Sequence, residues 1–157
     1  MSRMSAVLVC LLPALALSAE APAELKAALE KPGTITLYSL DPSTDKEKEK
    51  PKEAFHGVAV LGKTEVKGDG MKSFADTVLK AIEDPSARGA RCFIPRHGIA
   101  FRNGDKVIDL VICFECSWVD IYIAGKKSRQ TIGSDGDLLN KVLREAKVPL
   151  PKGPKSK

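Results

Sequence analysis

Apolar residues return along this chain with two different periods. From Met71, the positions Phe74, Val78, Leu79 and Ile82 recur every three or four residues, with Ala75 and Ala81 between them. That is the spacing of one helical face, and it predicts a helix closed by Asp84-Pro85. A second stripe, Leu138, Leu139, Val142, Leu143 and Ala146, predicts a helix over 137–147 capped by Ser134 or Asp135. A shorter one, Ala21, Leu25, Ala28 and Leu29, predicts a helix over 20–31 that stops at Pro32-Gly33. Elsewhere the period is two. Thr34-Ile35-Thr36-Leu37-Tyr38 predicts a half-buried strand over 34–40, and Val58, Val60 and Val66 place another within 57–67. Segments 90–94, 98–102, 106–113, 117–124 and 128–132 read as further strands, with Asn103-Gly104 as a hairpin turn between 98–102 and 106–113.

Strands joined by short turns pair antiparallel, and amphipathic helices must bury their stripes against the sheet. The expected fold is therefore α+β: a two-layer domain with a mostly antiparallel sheet of about five or six strands and two amphipathic helices packed on one face.

Two stretches break both periods. Residues 41–54 are mostly Lys, Asp and Glu with two prolines, which reads as a solvated loop, and 151–157 reads as a disordered basic tail. Residues 1–19 carry Arg3, an apolar run from Ala6 to Leu17, and small residues up to Ala19. That is the pattern of a signal peptide cleaved after Ser18 or Ala19, and it is too short to span a membrane comfortably. Val9 before Cys10, with the apolar run following rather than preceding, argues against a lipoprotein. The expectation is an exported protein, periplasmic or extracellular, with a single domain over 20–150 and no membrane span after cleavage.

Composition adds little to this and excludes one class. The 157 residues are 43% hydrophobic and 29% charged, with a formal net charge of +5, enough chain for one domain with a real core. The lysines gather in 46–52 and 152–157 without aromatic or arginine interleaving, so no nucleic-acid face is expected.

The candidate chemistry lies between Cys92 and Cys116. Beyond Cys10, this stretch holds every cysteine: Cys92, Cys113 and Cys116. A turn at Asn103-Gly104, or one lengthened to include Asp105, folds the two ends together and sets Cys92 opposite Glu115 or Cys116. Pro95 lacks an N–H and is expected to break the pairing nearby. Several readings follow. Export favours a structural disulfide, Cys92 with Cys113 or Cys116, or Cys113 with Cys116. Alternatively Cys92, His97, Cys113 and Cys116 form a Cys₃His set suited to zinc. A redox CxxC is a weaker reading, because Cys113-Phe114-Glu115-Cys116 follows a strand rather than opening a helix. The cysteines can also simply be buried. His97 otherwise reads as a hydrogen-bonded structural residue. Arg96 is a candidate fork for a carboxylate or phosphate, or the partner of Asp109 or Glu115. Asp109 and Asp120 read as solvent-facing positions of strands. No Ser-His-Asp order, phosphate loop or suitable carboxylate pair is present, and no catalytic residue is assigned.

The strings CFIPRHGI, from Cys92 to Ile99, and DLVICFEC, from Asp109 to Cys116, resemble those of a group of small exported bacterial proteins of unknown function. The resemblance runs from the strand at 36–40, through Val60-Leu61-Gly62, to Val148-Pro149-Leu150, and leaves out the charged loop and the tail. It implies a bacterial envelope or secreted protein and brings no activity with it. The functional expectation is a small exported binding or structural module, stabilised by a disulfide or zinc, with an unknown protein or small ligand as partner. The alternative is a metal- or thiol-dependent enzyme using His97 with the cysteines.

Overall fold

The structure, a computed structural model, describes residues 20–43, 52–133 and 136–150. The expected signal peptide over 1–19, most of the charged loop, the expected caps Ser134 and Asp135, and the basic tail lie outside the described residues. Three helices are present among these residues: α1 (Ala23–Glu30), α2 (Gly70–Ile82) and α3 (Asp137–Glu145). The strands are β1 (Thr34–Asp41), β2 (Ala54–Phe55), β3 (Val58–Val66), β4 (His97–Asn103), β5 (Lys106–Cys113), β6 (Trp118–Ile123) and β7 (Lys126–Thr131). They form one antiparallel sheet of seven strands in the order β2-β3-β1-β4-β5-β6-β7. No helix among the described residues is long and apolar enough to cross a membrane.

The α+β class holds, with differences of detail. The sheet has seven strands rather than five or six, because the chain folds back at the end of the charged loop and Phe55 pairs with Val58. Three helices cover the sheet rather than two. Leu25 and Leu29 of α1, Phe74, Val78 and Ile82 of α2, and Leu139 and Leu143 of α3 share one core. Residues 90–94 form no strand. Pro95 cannot donate to a ladder, and this segment is tied to the sheet by isolated contacts rather than by strand pairing. The hairpin turn is Gly104-Asp105, since Asn103 pairs with Lys106 and His97 with Ile112. Gly104 takes φ +57, a conformation that suits glycine, so the tight turn forms one residue later than the Asn-Gly pair suggests.

That register decides which side chains meet the helices. Ile99 and Phe101 on β4, Ile108, Leu110 and Ile112 on β5, and Val119 and Ile121 on β6 all point into the helix-covered core. Their alternates, Ala100, Val111 and Tyr122, form a second cluster on the opposite face with Tyr38, Leu40 and Phe55. The sheet curls around this second face. His56, beyond the end of β2, stacks on Tyr122 of β6 with ring centroids 3.7 Å apart, although three strands and β5 lie between them in the order. Gly98 makes room for the curl, because a side chain there would meet the Phe55 ring at 2.7 Å.

Leu110 is fully buried at the centre of the main core, whereas Val107 on the same strand is 45% exposed. Leu110→Ala is expected to cost about 2–5 kcal/mol in urea unfolding, by lost transfer energy and the cavity left behind. Val107→Ala is expected to stay within about 0.5 kcal/mol of the unmodified protein, as surface changes do.

Candidate functional site

Cys113 is the last residue of β5, and Cys116 sits in the turn that leads into β6. The turn is closed by the Ser117 N–H donating to the Phe114 carbonyl at 3.1 Å, with Ser117 at φ 51. The irregular segment after α2 is tied against it. The Ala90 N–H donates to the Cys116 carbonyl at 2.9 Å, and the Trp118 indole N–H donates to the Ala90 carbonyl at 2.7 Å. Gly89 lies under the Trp118 ring, where any side chain would overlap the indole. Beyond Pro95, the Arg96 N–H donates to the Ile112 carbonyl at 3.1 Å and the Leu40 N–H to the Arg96 carbonyl at 2.9 Å. Held at both ends, the segment carries Cys92 to Cys116.

All three sulfurs meet. The Cα atoms of Cys92 and Cys116 are 5.6 Å apart and those of Cys113 and Cys116 are 5.3 Å apart, both within the usual disulfide span. Cys116 lies within disulfide reach of both partners, and a sulfur can hold only one disulfide at a time. Cys113 and Cys116 are buried, at 1% and 0% exposure, and Cys92 is exposed. The Ile94 N–H donates to the Cys113 sulfur at 3.3 Å.

His97 does not join this cluster. It opens β4 opposite Ile112, so its ring points into the helix layer, while Cys113 alternates to the other face of β5. Its Nε2 donates to the Asn140 side-chain oxygen of α3 at 2.9 Å, and the Phe114 ring meets it edge-on. Burial pushes its pKa below the ordinary histidine value and the nearby Arg96 charge adds to this, against the opposing bond to Asn140. Directly across β1, Ser39 faces His97, and its fully buried hydroxyl has no partner among the described residues. Among the described residues, no three or more His, Cys, Asp or Glu side chains are grouped to hold a metal ion.

Arg96 pairs with Glu115, Nε to Oε1 at 2.9 Å, so of the two expected acids it takes the one beside the cysteines. Asp109 and Asp120 correct the expectation of solvent-facing positions, being 9% and 2% exposed. They point to the curled second face, which closes over them. Asp109 accepts from Arg102 at 2.6 Å and meets His56 Nε2 at 2.8 Å. Asp120 is gripped by both nitrogens of the Arg129 fork and by Lys127 at 2.9 Å. Burial works to raise the Asp120 carboxyl, but the bonds from Arg129 and Lys127 together outweigh it and hold the pKa below its usual value. Arg129 also lies over the Phe93 ring at 4.2 Å, which anchors the residue after Cys92. Sequence reasoning did not reach His56 or this network. The signal was a histidine beside a glycine at the end of a charged loop, which says nothing about β5 until the curl is known.

A cleft of about 300 Å³ opens elsewhere, between α1 and the turn end of the β4–β5 hairpin. Ala27, Ala28, Ile108 and Ile123 give it an apolar floor, and Glu24, Asp105 and Lys106 a charged rim. No family model, no curated protein and no solved structure matches this chain.

Cys116→Ser removes either disulfide at once and is expected to cost about 2–4 kcal/mol in urea unfolding without reductant. Histidine in the unfolded chain takes up its proton near pH 6.5, and His97 in the fold only at lower pH. Between those two values the unfolded state binds more protons. Stability should be full above about pH 6.5 and fall as pH drops toward the folded pKa. His97→Gln, measured by urea unfolding from pH 7.5 down, should remove this part of the slope.

Proposed function

We propose that this chain is a small exported binding module, periplasmic or secreted, whose outer segment is pinned by a disulfide at Cys92, Cys113 and Cys116 and which takes a small amphipathic ligand. The observation that carries the reading is the position of the sulfurs. They join an irregular segment to a turn, as a staple does, and two of the three are sealed from solvent. A disulfide persists in an oxidising compartment, which agrees with the leader-like residues 1–19.

The cleft supports the binding part. It has an apolar floor with a few polar groups at its mouth, the usual make-up of a small-molecule site. It lies at the far end of β5 from Cys113, about 20 Å away along the strand at 3.3 Å per residue. Ligand and sulfurs thus occupy separate ends of the molecule. An enzyme built on His97 has less support, because His97 and Ser39 are both enclosed between the sheet and the helix layer.

Expression with residues 1–19 in a bacterium tests the whole reading. The protein should be recovered from the periplasm with an N-terminus at Ala19 or Glu20 and with one free thiol under denaturing alkylation. It should bind the dye anilinonaphthalene sulfonate, and Ala28→Trp, which fills the cleft, should abolish that binding. Retention in the cytoplasm with Met1 in place, or dye binding untouched by Ala28→Trp, overturns the corresponding half.

A further inference from the structure

The three cysteines do more than staple. We propose that they form a thiol–disulfide exchange site in which Cys92 and Cys113 compete for the shared, buried Cys116, so that one of the two forms presents Cys92 as an exposed thiol to small disulfides. This rests on the disulfide of the reading above and goes beyond its structural role.

The geometry supplies each part. Cys92 and Cys113 both reach Cys116, at Cα separations of 5.6 and 5.3 Å, so neither pairing asks the backbone to move far. An odd number of sulfurs always leaves one free. When Cys92 holds Cys116, the free thiol is Cys113, buried beneath the Ile94 N–H that donates to its sulfur. The thiolate is the attacking form of either thiol. When Cys113 holds Cys116, the free thiol is Cys92, which is exposed. The two forms therefore differ in whether the reactive sulfur is hidden or presented.

The first step needs no outside oxidant, and the second takes its oxidising equivalent from the small disulfide itself. The Cys113 thiolate attacks the Cys116 sulfur of the Cys92–Cys116 bond, a Cys113–Cys116 bond forms, and Cys92 leaves as the thiolate. Nothing is oxidised or reduced overall. The Cys92 thiolate can then attack a small disulfide R–S–S–R, giving a Cys92–S–S–R mixed disulfide and releasing R–S⁻. The backbone around Cys92 suits this exchange. Residues 92–96 belong to no helix or strand, whereas Cys113 and Cys116 are set by β5 and its turn. Cys92 is thus the sulfur that stands outside the sheet and faces solvent.

The test uses the full protein purified without reductant, with oxidised glutathione as the probe. Acid quenching followed by peptide mapping should find both pairings. Adding glutathione should drain the Cys92–Cys116 form into molecules with glutathione on Cys92 and a Cys113–Cys116 bond. Cys113→Ser should stay locked as Cys92–Cys116 and take up no glutathione. A single pairing throughout overturns the exchange while leaving the staple intact. So does a pair ratio that glutathione does not change, an adduct on Cys113, or an adduct on Cys92 in Cys113→Ser at the level of the unmodified protein. Three free thiols before the probe is added would instead overturn the disulfide itself, and the binding module's staple with it.

Discussion

The pairing of β4 with β5 in a single register is the constraint on which the rest of the molecule depends. Side chains alternate across a strand, so a slip of one residue would turn Ile108, Leu110 and Ile112 away from the helices and expose Asp109 to the core. The Gly104-Asp105 turn excludes that slip at one end. At the other end, the buried His97 ring excludes it again, because only this register gives its Nε2 the Asn140 oxygen of α3. The same register ends β5 at Cys113, and so decides where the turn carrying Cys116 can stand.

The curl of the sheet follows from what the second face carries. Six or seven strands with one covered face usually leave the other to water. Here Tyr38 stacks on Phe55, Phe55 meets His56 edge-on and His56 stacks on Tyr122, and this row of rings across the face brings Arg102 and Asp109, then Arg129 and Asp120, under partial cover. The charged groups are affordable there because each carboxylate is met by more than one donor. An acid left alone at 2% exposure would instead give up its charge. The network also gives Phe93 a seat on Arg129, which steadies the chain one residue past Cys92.

Much of this was legible in the sequence, and the reason differs from element to element. The stripe from Phe74 to Ile82 and that from Leu138 to Leu143 announced α2 and α3, because a helix face is a local property. The hairpin was announced by Asn103-Gly104, though the turn formed one residue on, since local turn chemistry fixes a position only to within a residue. The pattern at 90–94 looked like a strand and is none, because Pro95 denies it a ladder, and no local pattern shows whether a neighbour is available. The nearness of Cys92 to Cys116 was expected from a hairpin register that the structure does not have; an irregular segment docked on the turn brings them together instead. The sharing of Cys116 with Cys113 was not legible either, because it depends on how that turn and segment dock. His56 and Asp109 lie 53 positions apart and meet only through the curl.

The chain's single tryptophan sits where these constraints join. Trp118 lies against Gly89, donates to the Ala90 carbonyl, and pairs across the sheet with Cys113 on one side and Thr131 on the other. Its indole is therefore placed to sense one local event, the docking of the segment that carries Cys92, before the sheet itself comes apart. A light-emission change at this ring would report the seam beside the sulfurs opening while the helix-covered core stayed shut.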